Sequence, residues 1–306
     1  MLPRRVLYAL LAVVTVSSLP QTAGGTATDN APVPPPNLDA ALSRQPPDKP
    51  EQLLEVGQLA YRRGDLHAAV EAYRQAANIL PRDASIRFDL GCLHALNREP
   101  AGARAALQKA LELDPAFVKA YDALGQLAEQ DGDTAGAQTL YREAVSREPG
   151  NAKFLWRLIR THLARGETAE ARDGLVRLIR LDPSHAQGRY YLGQLDLKAN
   201  QPELAIHEFR QALERTPENV SAWNGLALAY ARIGEFDQAA AALEQAKTLD
   251  PNNAGTYTNA GVVAAYQRRW DEARTAWQVA LRLTPDFAPA TENLKALDAL
   301  REPASK

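Results

Sequence analysis

Large apolar and small residues return along this chain on one fixed beat. Prolines fall at Pro81, Pro115, Pro149, Pro183, Pro217, Pro251 and Pro285, each 34 residues after the last. With each proline counted as position 32, the first unit starts at Pro50 and the seventh at Ala254. Position 20 is alanine in all seven units: Ala69, Ala103, Ala137, Ala171, Ala205, Ala239 and Ala273. Position 8 is glycine in five (Gly57, Gly91, Gly125, Gly193, Gly261), with Ile159 and Ala227 as departures. Position 27 is alanine in six and Leu178 in the fourth unit, whereas position 24 is always large: Tyr73, Leu107, Tyr141, Leu175, Phe209, Leu243, Trp277. A fixed period of this length marks stacked supersecondary units. Glycine inside a helix costs about 1 kcal/mol against alanine, so its recurrence points to close approach of two backbones. A large knob at 24 facing small holes at 8, 20 and 27 describes two antiparallel helices, one hairpin per unit.

The turn inside each hairpin is placed near positions 14 to 16, as in Arg63-Gly64-Asp65 and Asp131-Gly132-Asp133, where glycine suits a left-handed cap. The second helix is expected to end at the proline. Asp83, Ser184 and Asn253 then offer side-chain oxygens to open the next helix. Each helix has about 14 residues and a length of ~20 Å.

These positions resemble the tetratricopeptide repeat family, best in Tyr121, Leu124, Gly125, Ala137, Tyr141, Ala144, Pro149 and in Tyr257, Gly261, Ala273, Trp277, Ala280, Pro285. The resemblance implies an all-α, right-handed superhelical solenoid of seven 34-residue helical hairpins, residues 50–286. A capping helix follows at residues 287–301, with Ala290, Leu294 and Leu297 on one face to cover the exposed side of the last hairpin. Residues 302–306 form a tail.

The resemblance also implies that the first helix of each hairpin lines a concave groove through positions 2, 5, 6, 9, 12 and 13. Carried over, the groove residues are Lys119, Lys153, Trp156, Arg157, Arg160, Tyr190, Tyr191, Gln194, Asn224, Thr258 and Asn259. Lys153, Arg157 and Arg160 are spaced i, i+4, i+7 and share one helix face. Guanidinium groups beside aromatic rings make a seat for a carboxylate or an extended peptide; the opposing reading is a solvated face balanced by Asp122 and Glu129. Unit four, with Ile159 and Leu178 in place of small residues, is expected to splay. Some family members hold an acidic peptide C-terminus with lysines and asparagines. Here Leu54, Gln58 and Asp89 stand at those places, so that clamp does not carry over. Asn224 and Asn259 could hydrogen-bond an extended backbone.

Ahead of the repeats, Arg4 and Arg5 precede an apolar run from Val6 to Val16 and then small residues. The run is too short for a membrane span, which needs about 20 apolar residues, and reads as an export signal over residues 1–25. Residues 26–49 are proline-rich with few large apolar side chains, as expected of a disordered spacer. The formal net charge is −2, and loss of the two arginines takes it to −4. That balance argues against a nucleic-acid or anionic-membrane binder. The single cysteine, Cys92, excludes an internal disulfide framework.

Phosphate-binding glycine loops, Cys-x-x-Cys pairs, His-Glu-x-x-His and Gly-x-Ser-x-Gly are absent from the sequence. The five histidines lie at scattered positions, so neither catalytic nor metal-ligating nor cofactor-binding residues are expected. The reading is a non-enzymatic, exported and periplasmic scaffold that binds a protein or peptide partner, and no nucleic acid, in its groove. Resemblance to exported repeat proteins suggests assembly of secretion, pilus or exopolysaccharide machinery. Two alternatives stand beside it: an anionic glycan binder using Arg157, Arg160, Trp156 and Tyr190, and an accessory module of an enzyme on another chain. Self-association through the groove or the ends stays open.

Overall fold

A computed structural model describes residues 49–301, in which every regular element is a helix. The expected signal, spacer and tail therefore lie outside the described residues, save the end of the spacer. The described residues form two compact units that divide between Gly174 and Leu175. The first holds α1 (Pro50–Arg62), α2 (Leu66–Ile79), α3 (Ala84–Leu96), α4 (Pro100–Leu113), α5 (Val118–Gln130), α6 (Thr134–Arg147), α7 (Ala152–Ala164) and the start of α8 (Thr168–Leu181). The second holds the rest of α8, then α9 (Ala186–Lys198), α10 (Pro202–Arg215), α11 (Val220–Arg232), α12 (Phe236–Leu249), α13 (Ala254–Tyr266), α14 (Trp270–Leu283) and α15 (Ala288–Arg301). Among the described residues no helix is long and apolar enough to cross a membrane.

Side-chain size explains the pairing. Every alanine at positions 20 and 27 is fully buried, as are Tyr141, Leu175, Phe209 and Trp277 at position 24. A Cβ built on Gly125 would sit 2.8 Å from both Cδ1 and Cζ of Tyr141, so only glycine lets α5 approach α6 this closely. The two departures at position 8 are accommodated locally, since leucine at position 24 does not by itself make room: a Cβ on Gly91 would lie 2.6 Å from Leu107 Cγ. Ala227 on α11 accompanies the shorter Leu243 on α12, and both are buried. Ile159 on α7 fills the space left by Gly174 on α8, where a Cβ would meet Ile159 Cγ1 at 2.6 Å. The volume gained at Ile159 is thus given up at Gly174 within unit four, which removes one of the two steric reasons for splaying it.

The hairpin turns reach the same backbone shape with different residues. Gly64, Gly132, Gly166 and Gly234 have φ from 72° to 85°, as expected of left-handed caps, but Arg98, Asn200 and Arg268 occupy the matching position at φ 58° to 61°. Each costs what a side chain costs in that region.

Helix entry follows position 34. Asp83 accepts from Ser85 N and Ile86 N, Asn151 from Lys153 N and Phe154 N, and Asn253 from Thr256 N. Ser184 is not a cap: it falls one residue early and bonds Asp182, while His185 Nδ1 accepts from Gly188 N at 2.9 Å. Second helices stop two residues before the proline, because the residue ahead of a proline is driven out of the helical region. Asp114 shows this at φ −138° and ψ 93°.

One further contact recurs. The carbonyl of the proline between hairpins accepts from the position-4 side chain of the next helix: Tyr121 Oη at 3.2 Å, Arg189 Nε at 3.0 Å, Trp223 Nε1 at 2.8 Å and Tyr257 Oη at 3.1 Å. Three residue types perform one task.

Candidate functional site

The first-helix face of each unit is described by itself. In the first compact unit the face is built on α5 and α7. Position 5 of α5 carries Asp122, nearly buried, and positions 2 and 6 of α7 carry Lys153 and Arg157, one turn apart. Lys153 Nζ lies 3.1 Å from Asp122 Oδ2, and Arg157 Nε lies 2.6 Å from Asp122 Oδ1 without the alignment of a hydrogen bond. Gln126 Nε2 donates to Asp122 Oδ2 at 3.1 Å. A carboxylate taken from water needs this much compensation.

One turn on, Arg160 Nη2 stands 3.7 Å from Glu129 Oε1, while Glu129 Oε2 accepts from Tyr141 Oη at 2.8 Å. Burial, reinforced by the Glu129 carboxylate, pushes the Tyr141 hydroxyl far above the ordinary tyrosine range. The Arg157 guanidinium also lies 5.8 Å from the Tyr141 ring centroid. Lys119 is exposed on α5, and its charge pulls against the burial that raises the Asp89 carboxyl. Trp156, at position 5 of α7, is half-buried.

The second unit presents a different face. Tyr190 on α9 is half-buried, its hydroxyl accepting from Gln194 Nε2 at 2.5 Å, and its ring stands edge-on to Tyr191 at 5.2 Å. Burial pushes its hydroxyl up to about 12. Tyr191 is buried, so it serves the core more than a surface. Asn224 on α11 is also buried and donates through Nδ2 to Thr256 Oγ1 of α13 at 3.0 Å. Thr258 turns its hydroxyl onto its own helix, at 2.9 Å from Ala254 O. Asn259 on α13 stays half-buried.

The sequence-predicted residues thus separate into a charged set on α5 and α7 and a neutral set on α9, α11 and α13. The sequence placed Asp122 and Glu129 beside the cations but did not indicate how completely Asp122 is enclosed. The signal was there in part, an acid at position 5 of one unit facing bases at positions 2 and 6 of the next. Asn293 on α15 escaped it altogether and is almost fully buried.

Two of the histidines, His94 and His162, are held by local contacts. His94 Nδ1 lies 2.5 Å from Glu99 Oε2, and His162 Nδ1 lies 2.7 Å from Glu167 Oε2, each across a hairpin turn. Glu167 also accepts from Arg165 Nε at 2.6 Å and from Gln138 of α6. Among the described residues no group of three or more His, Cys, Asp and Glu side chains could hold a metal ion.

A sequence profile described as Tetratricopeptide repeat matches residues 36–79, 54–116 and 123–186, and one described as Cilia and flagella-associated protein 70 C-terminal domain matches residues 158–285. No curated protein sequence matches the chain significantly. Among solved structures the chain is similar to that of Pseudomonas aeruginosa pilF, at 21% identity over 69% of this chain and 96% of that one, with a TM-score of 0.55. It is similar to YrrB, described as a TPR protein with an unusual peptide-binding site, at 23% identity over 63% of this chain and 100% of that one, TM-score 0.54. A tetratricopeptide repeat protein from Parabacteroides merdae ATCC 43184 matches at 17% identity over 81% of this chain and 98% of that one, TM-score 0.54. At these identities the likeness is one of fold.

Proposed function

We propose that this chain, which belongs to the tetratricopeptide-repeat family, is a non-enzymatic, exported scaffold of the cell envelope. It holds an extended segment of a protein partner against the first helices of its repeats, in the assembly of secretion, pilus or exopolysaccharide machinery. The export and envelope parts rest on the Arg4-Arg5 and Val6 to Val16 segment alone. A peptide-binding site in the similar YrrB lends weight to the ligand class.

The observation that carries the reading is the closure of Lys153 and Arg157 on Asp122. With these cations already compensated, recognition falls largely to uncharged groups such as Gln194 and Asn259, whose amides can meet both the N–H and the C=O of an extended backbone. The glycan alternative loses support from the same contacts, since it needs Arg157 open and the Tyr190 hydroxyl unengaged.

The test is to pan a random peptide library on the whole chain and measure selected peptides by fluorescence anisotropy. Asn259→Ala and Gln194→Ala should each weaken binding about 3- to 10-fold, the worth of one hydrogen bond. Affinity for selected peptides without acidic residues should change little between about 0.05 and 0.5 M salt. If no peptide is selected and a uronic-acid polymer binds instead, the reading is wrong.

A further inference from the structure

Three arginine and lysine side chains share one face of α7, yet the structure does not treat them alike. Lys153 and Arg157 converge on a carboxylate whose side chain is only 7% exposed, and Arg157 itself is 18% exposed. A ligand carboxylate could reach Arg157 only by expelling Asp122, which would leave a buried charge uncompensated, whereas Lys153, 64% exposed, holds Asp122 from the solvent side. They are therefore positioning residues that tie α7 to α5.

Arg160 is built differently. Its side chain is 37% exposed, and the acid paired with it among the described residues is Glu129 at 3.7 Å, beyond hydrogen-bond reach. Glu129 has its own stronger partner in the Tyr141 hydroxyl at 2.8 Å. A guanidinium carries five N–H donors in a planar fork, and this one has donors to spare. Trp156 lies one turn earlier on the same helix and is half-buried.

We infer that Arg160 is the anchoring cation of the first unit's groove, receiving an aspartate or glutamate side chain of an extended peptide through a two-pronged hydrogen bond. Lys153 and Arg157 only shape the face around it. The inference rests on the groove reading proposed above and names the chemistry of one partner side chain. A carboxylate arriving at Arg160 competes only with the long Glu129 ion pair, and Glu129 keeps its bond to Tyr141.

The probes are a short labelled oligoglutamate and its oligoglutamine counterpart, measured by anisotropy on the whole chain. The parent should bind oligoglutamate and not oligoglutamine, and Arg160→Ala should weaken oligoglutamate at least about tenfold. Its melting temperature should stay within about 2 °C, as an exposed pair contributes little to folding. Arg160→Lys should recover only part of the affinity, since it keeps the charge and loses the fork. Glu129→Gln, which removes the nearest competing acid, should tighten binding several-fold. Lys119→Ala, which removes an exposed cation on α5, should cost no more than about threefold through general charge. Equal losses in Arg160→Ala and Lys119→Ala overturn the assignment. So does a parent that ignores oligoglutamate while library-selected neutral peptides still bind, in which case the groove reading survives without Arg160. If neither kind of peptide binds, both readings fall.

Discussion

Gly125→Ala sets two opposed effects against each other at a site where their sizes can be compared. On helix propensity alone alanine should stabilise α5 by about 1 kcal/mol. Against that, the new Cβ would lie 2.8 Å from two carbons of the Tyr141 ring, in a place where that ring is fully buried and its hydroxyl is held by Glu129. The ring has nowhere to rotate, so α5 and α6 must part. Overpacking of this kind costs roughly 1–3 kcal/mol. With two ring carbons so close the cost falls in the upper half of that range, and the net is a loss of about 1–2 kcal/mol, or a fall of about 2–8 °C in melting temperature for a chain of this size. Thermal and urea unfolding followed by circular dichroism would measure it. A second arm tests the cause. Gly125→Ala with Tyr141→Leu recreates the Ala227 and Leu243 pairing found on α11 and α12, so the double variant should be more stable than the sum of the single effects by about 1 kcal/mol or more. A Gly125→Ala protein as stable as the parent would show that propensity outweighs contact here, and would remove close approach as the reason for glycine at position 8.

Arg268, exposed at φ 61°, should accept glycine with a gain of about 0.5 kcal/mol, the left-handed cost relieved less the extra freedom of the unfolded chain; calorimetry on Arg268→Gly would read it as a rise of about 1–2 °C. Burial and the neighbouring Asp89 push the Cys92 thiol up to about 11 from an ordinary 9.0. Iodoacetamide at pH 8 should therefore react about 100-fold more slowly with the folded protein than with the denatured one. Glu167, held at about 2 against an ordinary 4.5 by Arg165, Gln138 and His162, contributes stability that is complete above pH 4.5 and lost as the pH falls towards 2. Melting curves of parent and Glu167→Gln should differ at neutral pH and converge in acid. An unchanging difference would contradict the sign.

What the sequence made legible was whatever repeats in register. The prolines, the alanines at positions 20 and 27 and the knob at 24 reveal the hairpins because identical positions face identical neighbours in successive units. The left-handed turns at Arg98 and Arg268 stayed hidden because tertiary packing imposes that backbone on residues that do not prefer it. The cap at His185 was missed because imidazole acceptors are rarer than hydroxyl ones and Ser184 stood one residue away. In the site, residue types and helix faces were readable, but the division of labour between Arg157 and Arg160 was not. It depends on which carboxylate is buried, and the pairs concerned lie about a full repeat apart in sequence.

The locks on the inter-hairpin prolines bear on how such an array can change length. Their acceptor is a backbone carbonyl, present whatever residues surround it, and phenol, indole and guanidinium all reach it from position 4. Fit inside a hairpin, by contrast, depends on particular side chains such as Ile159 with Gly174. A crossover between misaligned gene copies is thus tolerated at the prolines and penalised within a hairpin, so whole modules can be duplicated or lost while their internal pairings are inherited intact.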